Sequence, residues 1–196
     1  MARIQTDTRE RLLELTAALF AEQGFAAVSM RDIARAAGLT PAALYHHFTD
    51  KDALYEAVLA HVYRSRTQAL HAVLDTDGQS NSAMLRAFVM AFAGIVANDK
   101  IFSRLLHREL LDGSVARMQR LSTQVFQETF ASFAKVLRAL APGRDHHFTA
   151  NAMITIILGH YECAVIRSSL LGYLPVHESP DFLADQVIKL VLTGPV

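Results

Sequence analysis

Several features that would narrow the function at once are missing from this sequence. The 196 residues include no tryptophan, five prolines and a single cysteine, which cannot close an intrachain disulfide. A reducing compartment is therefore expected. The 19 basic and 19 acidic side chains cancel, and residues 1–67 balance as well, with eight of each sign. Net charge thus gives no hint of a polyanionic partner and by itself argues mildly against nucleic acid.

Long apolar segments are scarce too. The longest apolar stretch without a formal charge runs from 148 to 161, short of the roughly 20 residues that a membrane helix needs. The charged N-terminal segment lacks the apolar run of a signal peptide. Hydrophobic residues nevertheless make up 52% of the chain, enough for a core, which excludes intrinsic disorder. We expect a soluble, cytoplasmic protein with no membrane partner.

Helical signals recur along nearly the whole chain, whereas the alternating pattern of strands is absent, so the predicted fold class is all-α. Helix starts are predicted from four local patterns: Asp7 with Glu10, Ser29 with Asp32, Thr40 with Pro41, and Thr49 with Asp52. Gly24 and Gly38 are predicted to end helices. Later helices are predicted near 82–98, 100–112, 115–140, 148–171 and 181–193.

Two short predicted helices, 30–37 and 41–48, are separated by a turn that contains Gly38, as in a helix-turn-helix. The second helix has no acidic residue and offers methyl, hydroxyl and imidazole groups, which suit a DNA major groove. Lys51 follows at the start of the next helix, where a cation and backbone N–H groups favour phosphate. Short helix pairs also occur as plain packing units, so spacing alone leaves DNA binding and a structural role open.

The stretch from 7 to 59 carries a more specific pattern. Its features are Phe20, Gly24, Phe25, Ser29, Ile33–Ala34, Ala37–Gly38–Leu39, Leu44–Tyr45–His46–His47–Phe48, Lys51 and Leu54. In these residues the sequence resembles the N-terminal domain of the TetR family of bacterial transcriptional regulators, over a little more than a quarter of the chain. The resemblance implies an N-terminal three-helix helix-turn-helix DNA-binding domain, residues 1–50. It also implies a larger C-terminal helical domain for effector binding and dimerisation, residues 51–196.

The resemblance further implies which residues meet DNA. Thr40, Pro41, Ala42, Ala43 and His46 would face the bases of a double-stranded operator. Ser29, Arg31, Tyr45, His47 and Lys51 would hold its phosphates. Leu44 and Phe48 are interpreted as core anchors, and because adjacent histidines cannot share a helix face, one of the pair could simply be solvated. The implied function is a regulator, in the first instance a repressor, that binds a near-palindromic operator; activation stays open.

The predicted helix near 148–171 is apolar on nearly every side, so it must be covered on every side. A second subunit would provide that cover, and the predicted helix 181–193 offers a matching apolar stripe. The resemblance implies a homodimer in which these two helices form a four-helix bundle with their symmetry mates. The alternative is a monomer whose middle helices bury both.

A small-molecule effector of unknown identity is the other partner that the resemblance implies. The candidate pocket residues are Phe88, Phe92, His107, Phe126, Phe130 and His160. Aromatic stripes of this kind are more often core than ligand pocket, and the resemblance shifts the balance towards a pocket.

We find no pattern that indicates an enzyme, a cofactor or a metal site; glycine-rich phosphate loops and nucleophile elbows are absent. His160 and Cys163 are expected to be a hydrogen-bonded histidine and a buried structural cysteine. His107 and Glu109 could belong to an acid–base set or anchor an effector, but a solvated helix face is expected. The functional alternative is a helical ligand-binding or interaction protein without DNA binding.

Overall fold

A computed structural model describes the backbone of residues 2–193 and the side chains of residues 9–111 and 113–192. Regular structure in this range is entirely helical, which confirms the all-α prediction. The helices are α1 (Ala2–Gln23), α2 (Met30–Ala36), α3 (Pro41–His47), α4 (Lys51–Leu74), α5 (Asn81–Asn98), α6 (Lys100–Asp112), α7 (Val115–Leu121), α8 (Gln127–Leu140), α9 (His146–Glu162), α10 (Ala164–Ser168) and α11 (Pro180–Thr193). A π-helical turn, Ser122–Phe126, precedes α8, and a 3₁₀ turn, Pro175–Glu178, precedes α11.

The helix ends around the predicted helix-turn-helix follow local sequence signals. The Ser29 hydroxyl accepts a hydrogen bond from the Asp32 N–H at 3.2 Å, and the Asp32 carboxylate accepts one from the Ser29 N–H at 3.1 Å. This reciprocal pair is the predicted capping box of α2. Thr40 caps α3 by accepting from the Ala43 N–H at 3.2 Å. Both predicted starts are confirmed, and Gly24, at φ +86°, ends α1 as predicted.

Two predicted starts are wrong. Helix α1 begins at Ala2, upstream of Asp7, whose side chain lies outside the described residues. Helix α4 is capped by Asp50, which accepts from the Ala53 N–H at 2.7 Å, so Thr49 is not the cap. Asp50 and Thr49 are both good capping residues at adjacent positions, so the local pattern could not choose between them.

Two predicted long helices are interrupted. The helix expected over 115–140 is divided by the π-helical turn into α7 and α8. The helix expected over 148–171 ends at Glu162, because the backbone of Cys163 (φ −88°, ψ 13°) leaves the helical conformation. The short helix α10 follows, so the apolar residues beyond 163 belong to a separate helix.

The chain divides into two compact units, of which the first comprises residues up to 66 together with 100–125. It holds α1–α3, the first two thirds of α4, α6 and α7. Helix α1 packs against α2 and α6, and α2 packs against α3. The largest side chains of its core are Leu13, Phe20, Ile33, Leu44, Leu54, Tyr55, Leu59, Tyr63, Leu105 and Leu121.

The second unit comprises residues 67–99 and those from 126 onward, with α5 packed against α8, α9 and α11. Helix α5 is long and apolar enough to cross a membrane by length and composition alone. Part of that apolar composition lies in the core of this unit, where Phe88, Val89 and Ala93 are buried. The functional boundary between residues 50 and 51 is not tested by the division into units and stays a prediction.

Candidate DNA-binding surface

Helix α3 has one buried side and one exposed side. Leu44 is fully buried and Phe48, just after the helix, is 6% exposed, so these two anchors fix the helix to the core. The outer positions are Thr40, Pro41, Ala42, Tyr45, His46 and His47, all exposed, with Ala43 half-buried between them. Tyr45 is 53% exposed, a large fraction for an aromatic ring. The predicted base-facing residues therefore lie on a surface that an approaching groove can reach.

The start of α2 supplies the next group of predicted contacts. Ser29 and Arg31 are both exposed. The Ser29 hydroxyl lies 2.5 Å from an oxygen of Asp32, so it already serves the capping box. That hydrogen bond is the main reason why the pKa of Asp32 lies below its usual value, and Asp32 also pairs with Arg35 at 3.4 Å. Arg31 is thus the exposed cation of this turn that the capping box does not engage.

Lys51, a predicted phosphate contact, already makes hydrogen bonds within the protein. Its ammonium donates to the carbonyl oxygens of Phe25 at 2.7 Å and Val28 at 2.9 Å, and lies 4.2 Å from the centre of the Phe25 ring. These contacts hold the segment that joins α1 to α2. An ammonium carries three N–H groups, so two of them are directed to carbonyl oxygens within the first unit.

An ion pair that sequence reasoning missed lies at the corner between α6 and α7. The Arg117 guanidinium donates to both carboxylate oxygens of Glu109 at 3.0 Å, and the two side chains are 12% and 3% exposed. The expectation that Glu109 lies on a solvated helix face is therefore wrong. The turn at Gly113 brings Arg117 back over Glu109, eight residues away, and this spacing is no recognised sequence signal.

The same pair contacts the start of α4. Arg117 lies 3.7 Å from Asp52 and its guanidinium carbon is 4.9 Å from the centre of the Tyr55 ring. Burial of Tyr55, followed by the nearby charge of Glu109, raises the pKa of the Tyr55 hydroxyl. Next to it, Arg120 forms a two-pronged pair with Glu56 at 2.8 and 2.6 Å.

The candidate effector residues are divided between the two units. Phe88, Phe92, Phe126, Phe130 and His160 belong to the second unit and His107 to the first, where its side chain is exposed on α6. Phe88 is buried and stacks on Phe133 with ring centres 4.1 Å apart. Phe130 is half-buried, with its ring centre 5.1 Å from that of His147.

The structure near the end of α9 tests the predictions made for His160 and Cys163. A ring nitrogen of His160 is 2.8 Å from the carbonyl oxygen of His177, which confirms that this histidine is hydrogen-bonded. Cys163 is exposed, so the expectation of a buried cysteine is wrong, because it lies where α9 ends. Within the described part of the chain, no three His, Cys, Asp or Glu residues cluster as a metal site would require.

Known proteins are similar to this chain in the region of the helix-turn-helix. The model of the bacterial regulatory proteins of the tetR family matches residues 12–58, which cover most of α1, α2, α3 and the start of α4. The transcriptional repressor KstR2 of Mycolicibacterium smegmatis is 34% identical over 87 residues, 44% of this chain and 42% of the relative. The match thus spans less than half the length of that curated relative.

Solved structures extend the likeness over nearly the whole chain. A TetR-family transcriptional regulator from Bordetella parapertussis superimposes with a TM-score of 0.68 at 25% identity, covering 95% of this chain and 94% of that one. FadR from Bacillus subtilis, solved in complex with stearoyl-CoA, gives a TM-score of 0.75 at 14% identity, covering 94% and 98%. Residues 12–58 thus match the tetR family of bacterial regulatory proteins, and the chain has the fold of TetR-family regulators of known structure.

Proposed function

We propose that this protein is a transcriptional repressor that binds a near-palindromic DNA operator as a homodimer and is released by a small-molecule effector. The observation that carries the proposal is the acid-free outer side of α3, held in place by Leu44 and Phe48. The similarity to a named repressor in the DNA-binding region supports repression as the outcome. The protein acts in the cytoplasm, as a regulator and not as an enzyme.

We propose that one group of residues contacts the bases and a second group contacts the phosphates. Base edges in the major groove are met by Thr40, Pro41, Ala42, Ala43 and His46, whose hydroxyl, methyl and imidazole groups match groove chemistry. Phosphates are met by Ser29, Arg31, Tyr45, His47 and Lys51. Two N–H groups of the Lys51 ammonium donate to the carbonyls of Phe25 and Val28, and the third is proposed to donate to a phosphate. Few cations at the phosphates suffice to orient a protein whose net charge is zero.

A homodimer through α9 and α11 is supported by the apolar surface of the second unit. Helix α9 buries Met153 and Ile157 but leaves Phe148 70% exposed, and Leu190 on α11 is 65% exposed. Large apolar side chains exposed on neighbouring elements often mark a protein interface. A two-fold dimer would present two α3 helices, as a near-palindromic operator with half-sites about 34 Å apart requires.

Effector release is proposed to act on the distance between the two α3 helices. The residues of the second unit that are proposed to contact the effector are Phe88, Phe92, Phe126, Phe130 and His160, and His107, in the first unit, stays a separate prediction. The FadR complex with stearoyl-CoA supports the idea that this fold accommodates a small molecule. An effector can shift the population only if it binds the non-operator conformation more tightly than the operator-bound one.

The deciding experiment is a gel shift with the DNA upstream of the protein's own gene. Tyr45→Ala should abolish the shift while the far-ultraviolet circular dichroism stays unchanged, since Tyr45 is exposed. Gln68→Ala, an exposed position in the second unit, is the matched control and should shift DNA as the wild type does. A wild-type protein that shifts no DNA sequence would leave the alternative, a helical interaction protein.

A further inference from the structure

The ion pair between Glu109 and Arg117 is unusual because Glu109 is buried and Arg117 is largely shielded from solvent. Their side chains are 3% and 12% exposed, and two parallel hydrogen bonds of 3.0 Å join them. Removing two charges from water costs free energy that the pairing only partly offsets, so such pairs are often replaceable by apolar residues at no loss of stability. Stability alone is therefore a poor explanation for this pair. Its geometry indicates that it orients the residues around it.

The pair is attached to the first turns of α4, directly after the helix-turn-helix. Arg117 contacts Asp52 at 3.7 Å and covers the Tyr55 ring at 4.9 Å. Burial first, and then the charge of Glu109, raises the pKa of the Tyr55 hydroxyl, so Glu109 also acts on Tyr55. The two-pronged hydrogen bond to Glu109 and the contact with the Tyr55 ring thus fix the Arg117 guanidinium relative to both residues.

Aromatic contacts continue from Tyr55 towards α2. Its ring centre is 4.8 Å from that of Phe25 and 4.9 Å from that of Phe20. Phe25 lies in the segment that leads into α2, and Lys51 contacts both its ring and its carbonyl oxygen. A continuous series of contacts therefore leads from Arg117 through Tyr55 and Phe25 to Lys51, within the first unit.

The glycine in the turn between α6 and α7 allows the turn to lie close to Glu109. A Cβ added at Gly113 would overlap the backbone of Glu109 and lie 2.7 Å from its carboxylate. A residue with a side chain would push the turn away from Glu109, which would displace Arg117. The close approach at Gly113 is thus part of the same arrangement.

We propose that Arg117 and Glu109 are positioning residues for operator recognition, which fix the start of α4, and through it the helix-turn-helix, against the α6–α7 corner. Neither residue is proposed to touch DNA. The inference rests on the proposed function, because it assigns these residues to the orientation of the proposed DNA-binding surface. It adds two side chains outside the segment matched by the family model.

The test is the double variant Glu109→Leu/Arg117→Met, which replaces the buried pair with apolar groups of comparable length. Its thermal midpoint should equal or exceed that of the wild type, since no uncompensated charge remains. The probes are a duplex selected by the wild-type protein from a random-sequence pool and a scrambled duplex of the same length. The affinity ratio between the two should fall by about tenfold, which corresponds to about 1.4 kcal/mol of lost discrimination. The salt dependence should be unchanged, because no phosphate contact is lost.

Two further variants sharpen the result. Arg117→Lys keeps the charge beside Glu109 but loses the planar contact with Tyr55 and the two-pronged geometry, so it should restore the ratio only in part. Arg138→Met removes an exposed arginine from α8 in the second unit and should leave the ratio unchanged. A structural role alone would change the thermal midpoint and not the affinity ratio.

Three outcomes would overturn the inference. A stable double variant that keeps the wild-type ratio shows that the pair does not orient the surface. An unfolded double variant shows that the pair serves folding, which assigns it a structural role instead. If the wild-type protein selects no sequence at all, the proposed function fails first, and the inference falls with it.

Discussion

The Lys51 ammonium donates to the carbonyl oxygen of Phe25 at 2.7 Å and lies 4.2 Å from the centre of the same residue's ring. One side chain therefore holds both the backbone and the side chain of Phe25. It also reaches the carbonyl of Val28 at 2.9 Å, which fixes the segment that leads into α2. A residue that the sequence assigns to phosphate thus has a structural role as well.

The two roles of Lys51 predict two measurable effects for Lys51→Met. The loss of hydrogen bonds to two carbonyls should lower the free energy of unfolding by roughly 1–3 kcal/mol, as measured by urea denaturation. The affinity for all duplexes should fall alike, and the slope of log affinity against log salt should decrease by about one, as expected for one lost phosphate contact.

Lys100→Met is the matched control, since Lys100 is exposed at the start of α6 in the same unit. It should leave both the unfolding free energy and the salt slope unchanged. If Lys51→Met altered base preference at an unchanged salt slope, the phosphate assignment would be wrong. An unchanged unfolding free energy would instead contradict the role of the two carbonyl contacts.

Gly24→Ala should destabilise the first unit. At φ +86° a side chain costs about 1–2 kcal/mol relative to glycine. The added Cβ would also lie 2.6 Å from a guanidinium nitrogen of Arg108, which must then move. Thermal unfolding should show a lower midpoint for Gly24→Ala than for Gly143→Ala, where the added Cβ meets open space. Equal midpoints would refute this account.

Leu190→Glu tests the proposed dimer. Leu190 is 65% exposed in the single chain, so a charge there should not disturb the fold but should separate the subunits. Light scattering should report one chain for the variant and two for the wild type. Leu110→Glu, at a similar 62% exposure on α6, is the control and should stay a dimer. If both variants keep the wild-type mass, α11 is not at the interface.

The partly buried position of His160 predicts that the protein loses stability in mild acid. Burial, its first cause, keeps the pKa of His160 below its ordinary value of 6.5, although the hydrogen bond to His177 and the charge of Glu178 act in the opposite direction. The unfolded chain therefore binds the proton more readily, so the stabilisation is complete above pH 6.5 and is lost as the pH falls through the folded pKa. Thermal midpoints should fall between about pH 7.5 and pH 5.5, and less so in His160→Gln. An equal fall in both proteins would contradict this assignment.

The parts of the fold that sequence patterns predicted are those that depend on neighbours along the chain. The capping box at Ser29 and Asp32 and the cap at Thr40 are local hydrogen bonds, so residue type and spacing were sufficient. The same holds for Gly24, whose positive φ ends α1. Where two adjacent residues could serve equally, as at Thr49 and Asp50, the choice needed the structure.

The sequence by itself determined that the chain is helical, that a helix-turn-helix lies near its start, and that the segment resembles the TetR family. Tertiary structure decided what surrounds individual charges. Lys51 meets the carbonyl of Phe25 from 26 positions away, and Glu109 is buried under Arg117 across a turn. Helical periodicity reports which residues share a face of one helix, but not which distant group packs over that face. For this reason the surroundings of Lys51 and Glu109 became known only from the folded chain.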